Sequence, residues 1–590
     1  MSEEKKYVLA MYDVRGKQNF IYSSNKMKEI QGASYIIRDV FNDYLLPAAD
    51  EYAHEVLGGN AKGIYFERDE DGFLKENFDT DKFEERMKEG KYIGEIVYDG
   101  GGNFLTFFKD KPTYIEISRR FSASVLKEID TLHVQSSCIN VGDGRSDEDK
   151  QNNKSIFSDF SSDSKLLYRQ HDYNTSQETF IHAVNTLPLV MVDPTTSRPM
   201  EFLEKNSEGK YERITRDRKK KLEKYQEEMD KLEENAEKTD DSTLDTPYQG
   251  KILDDLVLKK GENSWLGVVY IDGNNMSAKI QECYKDKDGK NLPYNEAVNN
   301  LRKMSHDIEK EYVQNTKAKI DEYLKEANPK KENNDNPQVR RLIISAGDEM
   351  TIIVKAADVP GVVNVYFNAL EEKNESDKGL RTSAAGVAIF SSHAPFADAY
   401  RIAEECCESG KTKMKKWKIE NADMFDFHYC QGGIGTSIDE IRSEETGDLI
   451  SKPWVVKTYK AEFDENAKPL YFNPDPDRKN WEGYEINYVL EYLNTMGHSN
   501  VKGLLGACLE GKSAMRMELK RIDSNLKKPE SVDDGIYSLK ELEDIISKKC
   551  RTKMDDETLR GIIYDLVTVY DLWFVGKSLT GKETTDEEEN

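Results

Sequence analysis

The stretch Arg341-Leu342-Ile343-Ile344-Ser345-Ala346-Gly347-Asp348-Glu349-Met350-Thr351-Ile352-Ile353-Val354-Lys355 decides the fold. Arg341–Ser345 and Met350–Lys355 are β-type runs with apolar centres, and the residues between them are small or acidic. The segment therefore reads as a tight hairpin with Asp348 and Glu349 at its tip. Two adjacent acids in a turn are common on any surface, but a second feature gives these weight. Trp265–Ile271 is an apolar strand that ends on Asp272 and runs into Gly273-Asn274-Asn275, where the chain must turn. If the two segments are neighbours in one sheet, Asp272, Asp348 and Glu349 converge at one edge. Like charges a few ångströms apart repel, so such a cluster persists when a cation neutralises it. Hard oxygen ligands select Mg2+ or Mn2+, and a pair of such ions can activate an attacking hydroxyl and stabilise a leaving pyrophosphate. Gly273 and Gly347 let the backbone approach a nucleotide closely.

Working outward, Tyr294–Ala327 reads as a long helix, Val359–Leu370 as a helix, Thr382–Phe390 as a strand, Pro395–Ser409 as a helix and Phe425–Tyr429 as a strand. The order β-α-β-β-α-β-α-β over 263–440 predicts an α+β palm domain of ferredoxin-like type, an antiparallel-rich sheet with helices on one face. Residues 1–190 repeat the plan. A strand ends at Met11-Tyr12-Asp13, a helical run covers Lys26–Leu46, glycines punctuate a hairpin over Tyr92–Phe108, and a helix and a strand follow at Arg119–Thr131 and His133–Asn140. Aligned on the glycines of Asp99-Gly100-Gly101-Gly102-Asn103-Phe104, Asn103 and Phe104 stand where Asp348 and Glu349 stand, so duplication with one acid-bearing and one acid-free palm is the economical reading.

Between the palms, 191–262 is rich in lysine and glutamate, with Leu222, Tyr225, Met229 and Leu232 at helical spacing, and reads as a solvated helical insert or linker. Its basic start, Arg216–Lys221, reads as a charged helix face rather than a nucleic-acid contact, because acids follow at once. Residues 441–580 turn helical and predict an all-α C-terminal domain, and 581–590 a polar tail.

Composition sets limits. The 590 residues are 33% charged and 37% hydrophobic, as in ordinary globular proteins, and no apolar run approaches the ~18 residues of a membrane span. No apolar leader precedes the first strand, so a cytoplasmic protein without membrane contact is expected. The seven cysteines form no CxxC pair and suggest neither a disulfide framework nor a thiolate zinc site, and Cys406-Cys407 reads as small residues on a helix. A net charge of −26 suits a chain that meets nucleic acid through partners better than one that wraps it alone.

Tyr270-Ile271-Asp272-Gly273-Asn274-Asn275-Met276, the Ala346-Gly347-Asp348-Glu349-Met350 hairpin and the Pro395–Lys411 helix resemble the palm of GGDEF-type cyclases. They are more similar still to the second palm of the large polymerase-cyclase subunit of type III CRISPR effector complexes. Asp13-Val14-Arg15-Gly16-Lys17-Gln18-Asn19-Phe20-Ile21, Gln31-Gly32-Ala33-Ser34 and Tyr98-Asp99-Gly100-Gly101-Gly102-Asn103-Phe104 resemble that subunit's first, non-catalytic palm. The resemblance implies synthesis of cyclic oligoadenylates from ATP, with guide and target RNA reached through partner subunits, and with other effector-complex subunits or a second copy of the chain as partners. It implies that Asp272 and the Gly273 carbonyl hold metal with Asp348 and Glu349, the catalytic acids, and that Gly347 and Asn275 line the nucleotide site. Ser392 and His393 are expected near base or ribose, and Lys411 against the triphosphate, with Lys413, Lys415 and Lys416 as rivals.

Departures from the family pattern are Ala346 for a glycine, Glu349 for an aspartate, as in GGDEF cyclases, and Asn274 where aspartate is frequent. The family's HD nuclease domain and inter-palm zinc cysteines have no counterpart, and His171-Asp172 reads as an incidental dipeptide. Two other readings compete: a catalytically inactive scaffold subunit, and a GGDEF-type cyclic-dinucleotide synthase.

Overall fold

The structure is a computed structural model that describes residues 7–24, 26–59, 61–100, 102–152, 154–177, 191–193, 196, 198–205, 209–236, 256, 264–328, 339–374, 381–430, 437–447, 449–461, 469–475, 482–526 and 535–574. The expected 581–590 tail and the polar stretch Thr239–Asp245 lie outside the described residues. The chain is α+β and falls into two compact units: 1–252 with 275–313 and 346–348, and 253–274 with 314–345 and 349–590.

In the first unit, strands β1 (Val8–Arg15), β2 (Ile64–Tyr65), β3 (Gly94–Gly100), β4 (Asn103–Phe108) and β5 (His133–Asn140) form one sheet in the order β2-β3-β4-β1-β5. A separate ribbon pairs β6 (Phe202–Lys205) with β7 (Tyr211–Ile214). β1 is antiparallel to both β4 and β5 and buried along nearly its whole length, as its unbroken Val8–Tyr12 run requires. Alternate residues serve opposite faces. Tyr12 packs edge-on against Phe121 of the Lys111–Glu128 helix, at 5.7 Å between ring centres. Tyr7, Leu9 and Met11 join Phe83, Phe107, Phe160 and Tyr294 on the other face. The Tyr294–Ile308 helix thus belongs to this unit, where Arg302 donates to the Ile96 carbonyl at 2.5 Å and the Val97 carbonyl at 3.2 Å.

The charged stretch expected as a solvated insert contributes the Arg216–Ala236 helix to this same unit, packed on the Met27–Val40 helix. A Cβ on Gly32 would lie 1.9 Å from the Lys221 carbonyl oxygen, so the approach depends on glycine. The basic start is consumed internally: buried Lys221 donates to the Phe20 carbonyl and Ser23 Oγ, both at 2.7 Å, and Arg218 lies 3.0 Å from the Glu29 carboxylate. Tyr225 and Met229 draw the helix inward, and its charges find partners almost 200 residues away in sequence.

The second unit holds β8 (Trp265–Gly273), β9 (Arg340–Ala346), β10 (Glu349–Lys355), β11 (Ser383–Ser391), β12 (Ile419–Tyr429) and β13 (Trp454–Ala461), ordered β13-β12-β11-β8-β10-β9. β8 is antiparallel to β10 and β11, while β11 and β12 are parallel and joined by the Phe396–Lys416 helix. That helix packs on β8, β11 and β12, with Tyr400 edge-on to Tyr270 at 5.6 Å. The other face is covered too: Phe425 and Phe427 of β12 meet Trp573 of the Asp556–Trp573 helix. Buried ion pairs tie the later segments to the sheet, Arg442 to Asp426 at 2.7 Å and Lys452 to Asp565 at 3.2 Å. β13 lies beyond the boundary expected near 440, and among the described residues five helices between Glu485 and Trp573 follow it. Among the described residues no helix is long and apolar enough to cross a membrane.

Gly386 sets how closely the Phe396–Lys416 helix sits on β11, for a Cβ there would fall 2.0 Å from the Ala403 carbonyl oxygen and 2.2 Å from the Cys407 nitrogen. Both neighbours are backbone and cannot rotate aside. Gly386→Ala should therefore destabilise the chain by about 1–3 kcal/mol, read as a lowered unfolding midpoint in urea.

Candidate active site

Strand register brings the first two acids together. On the antiparallel pair β8–β10, Asp272 is the direct partner of Glu349, and on the other side Asp272 faces Ala384 and Gly273 faces Ser383. Directly opposed residues hold their Cβ atoms about 4.5–5.5 Å apart, and like charges so placed repel. The structure answers with a cation. Lys411 Nζ lies 2.5 Å from Asp272 Oδ2 and donates to the Gly273 carbonyl at 3.0 Å. Lys411 is the lysine of its helix that reaches the acid. Its anchor is the buried face of Tyr400, Ala403, Cys407 and Gly410. Cys406 and Cys407 are fully buried, and Cys407 Sγ sits 3.2 Å from the Ala384 carbonyl.

The field around this pair is acidic. Burial, then Glu349 and Asp272, push the Tyr270 phenol far above its ordinary range. Glu404, two helical turns before Lys411, has its carboxyl raised by burial first and then by Glu405, Asp272 and Glu408. Sequence reading missed Glu404, although its i, i+7 spacing to Lys411 was available.

Asp348 occupies the two-residue turn between β9 and β10 with Gly347, whose φ of +62° suits glycine. By its contacts this turn clusters with the first unit. There the Gly347 N–H donates to the Glu309 carboxylate, and the Asp348 charge adds to the burial that raises Tyr98. Among the described residues no three acidic, histidine or cysteine side chains gather to hold a metal ion.

Asn275 opens the Met276–Glu282 helix in the left-handed region, at φ +58°, a conformation its short polar side chain tolerates. Asn274 is fully buried, its Nδ2 donating to the Ala422 carbonyl at 2.8 Å and to Thr382 Oγ1 at 3.3 Å. An aspartate cannot donate to these oxygens, so the departure from the family pattern has a packing reason. Asp423, also missed from sequence, accepts the Ser383 N–H at 3.0 Å and supports the same end of the sheet.

Ser392 and His393 are a correction. β11 runs antiparallel to β8, so Ser383 lies beside Gly273 whereas Ser391 lies beside Trp265, and the Ser392 N–H bonds the Ser264 carbonyl. At about 3.3 Å per residue along the strand, both residues sit ~25 Å from Asp272, at the opposite end of the strands, and do not line its site.

The first unit has the same architecture with other side chains. Asp13 pairs in register with Asn103, so Gly102 and Asn103, rather than Asn103 and Phe104, correspond to Asp348 and Glu349. Asp13 is surrounded by bases: Arg15 at 3.3 Å, Lys17 at 3.9 Å and His171 at 3.6 Å.

These observations define a two-palm α+β chain with an acid pair in one palm and a base-locked aspartate in the other. No protein-family model matches the chain, and no curated protein matches it. Among the solved structures it is similar to are Csm1 subunits, several of them in Csm1-Csm4 cassettes. Csm1 in T.onnurineus shares 13% identity over 96% of this chain and 70% of its own, with a TM-score of 0.46. A Csm1-Csm4 cassette in complex with one ATP gives 13% identity, the same coverages and 0.45. One in complex with AMPPNP gives 13% and 0.38, over 70% of this chain and 54% of that chain, so the match spans about half its length.

Asn274→Asp should cost about 1–3 kcal/mol by leaving buried acceptors unpaired, measured by chemical denaturation. Glu404 gives a pH signature. Its folded pKa is raised, so its favourable contribution is full below the ordinary glutamate range and is lost as pH rises through the folded value. Glu404→Gln should thus raise the unfolding midpoint at neutral pH, and that gain should vanish below about pH 4.

Proposed function

We propose that the chain is a palm-type nucleotidyltransferase that condenses ATP into cyclic oligoadenylate-type second messengers in CRISPR-type antiviral defence. The observation that carries this reading is the register-paired acids Asp272 and Glu349 with a cation seated on Asp272 and the Gly273 carbonyl. The motif resemblance across both palms supplies the reaction and the nucleotide. In this reading 263–440 is the working palm, 1–190 the acid-free palm, 191–262 the intervening segment, and 441–580 a surface for other effector subunits. Guide and target RNA are met through those partners, in the cytoplasm.

The residues fit a hard divalent ion, Mg2+ or Mn2+. The donor set is carboxylate and carbonyl oxygen, and the ammonium on Asp272 and Gly273 marks it as a cation-accepting position. Asp272, the Gly273 carbonyl, Asp348 and Glu349 would hold the metal. When bound it supplies Lewis acidity toward the attacking 3′-hydroxyl and the pyrophosphate. The chain's own residues do the rest. Lys411 offers a compact positive charge to the triphosphate, Gly347 permits close approach of the turn, and Asn275 places a short amide at the mouth of the nucleotide site. Asn274 and Asp423 hold the backbone that presents Asp272.

The absence of a three-ligand cluster among the described residues, with Ala346 and Glu349, favours a second reading, an inactive scaffold subunit. Incubation with four labelled nucleotides and Mn2+, alone and with target RNA and partner subunits, separates the two. The expected result is cyclic oligoadenylate by mass spectrometry, with Asp272→Ala and Asp348→Ala each lowering the rate by at least about a hundredfold. No phosphodiester product under any of these conditions would leave the scaffold; a cyclic dinucleotide alone would point to the GGDEF-type synthase.

A further inference from the structure

Resting on the cyclase reading of this site, we infer that Lys411 is a resident counter-ion. Its ammonium occupies the divalent-metal position on Asp272 and the Gly273 carbonyl until metal and nucleotide arrive together, and then transfers to the triphosphate. The two oxygens it holds, Asp272 Oδ2 and Gly273 O, are the two that the metal would take. One position cannot hold both cations, so metal entry displaces the lysine.

The surroundings give the ammonium a reason to be there. Asp272 faces Glu349 across the strand pair, and Asp272 and Glu404 feel each other's charge. An uncompensated carboxylate in this setting raises the energy of the folded chain. Lysine suits a temporary role better than arginine would, being a compact point charge on a flexible stem rather than a planar fork. The stem can move while its base stays fixed, since the helix is anchored at Tyr400, Ala403, Cys407 and Gly410. Solvent can reach the pair: the Asp272 side chain is 31% exposed and that of Lys411 15%.

The first palm shows what a permanent arrangement looks like. Asp13 has two cations from its own end of the strand beside it, Arg15 at 3.3 Å and Lys17 at 3.9 Å, and Arg15 is itself fixed by Gln135 at 2.8 Å. Against that lock, the single lysine on Asp272 is a reversible plug. Its consequence is coupling. Metal alone must eject the ammonium from Asp272 and the Gly273 carbonyl, whereas metal carrying a triphosphate brings a new anion to receive it, so each ligand strengthens the other.

Mn2+ binding to the full chain, followed by the paramagnetic resonance of the free ion, tests this in wild type, Lys411→Met and Asp272→Asn. It is measured with and without an ATP analogue whose β–γ bridge is nitrogen. Lys411→Met should bind Mn2+ alone about tenfold more tightly, ~1.4 kcal/mol, yet bind Mn2+ with the analogue more weakly than wild type. A lysine that merely supports the fold would weaken both. Wild-type or weaker Mn2+ binding by Lys411→Met, with Asp272→Asn still abolishing it, overturns the plug and leaves the metal site standing. No Asp272-dependent Mn2+ binding in any variant, with or without the analogue, removes both readings. Thermal unfolding of Lys411→Met and Lys411→Gln supplies the folding control, and Mn2+ should raise their midpoints more than that of wild type. Equal shifts in all three would count against displacement.

Discussion

Two carboxylates placed opposite each other on neighbouring strands are a standing electrostatic strain, and the second palm is arranged around that strain. β8 lies between β10 and β11, so Asp272 cannot move away from Glu349 without breaking pairing on both sides. The compensating charge must come from outside the sheet. It comes from the helix that crosses between the parallel strands β11 and β12, because this crossover lays the Lys411 end of the helix over the acid end of β8. Gly386 sets the depth of that helix, and the fit of a glycine against backbone thus governs whether an ammonium reaches a carboxylate.

The same sheet plan in the first unit meets the same problem with half the charge. Asp13 faces a neutral asparagine, and its neighbours Arg15 and Lys17 come from its own strand end and the turn that follows. Local sequence suffices to neutralise one acid. Two acids in register draw a cation that is delivered from elsewhere in the fold. The difference between the palms therefore lies in where the positive charge is rooted, more than in the strand topology.

Much of this was legible in the sequence. Unbroken apolar runs at β1 and β8 announced strands, which the structure buries on both faces, and the glycines at 100–102 and 347 announced their hairpins. The Asp272–Glu349 pairing followed from an acid at a strand end and an acid at a hairpin tip. What failed had physical causes. Matching the hairpins by glycine placed Asn103 one residue off, and in a strand one residue exchanges the two faces. Strand register, invisible in composition, corrects it. Ser392 and His393 were misplaced because their nearness in sequence to a palm strand ignored its direction. The Arg216–Lys221 run looked solvated because the groups that receive its charges, the Glu29 carboxylate, the Phe20 carbonyl and the Ser23 hydroxyl, come from the start of the chain.

The proposed cyclase chemistry asks for stiffness beneath the acids. The stiff part is visible beneath the acids. Asn274 ties the end of β8 to Thr382 and Ala422 through its side chain, and its own N–H bonds the Thr382 carbonyl at 2.8 Å. Asp423 holds the neighbouring Ser383 N–H, where β12 carries register shifts that leave room for it. These contacts restrain the backbone on either side of Gly273. An aspartate at 274 would add a ligand at the cost of that hold. The chain's choice of asparagine keeps a rigid backbone and adds no further charge beside the acids that the strands force together.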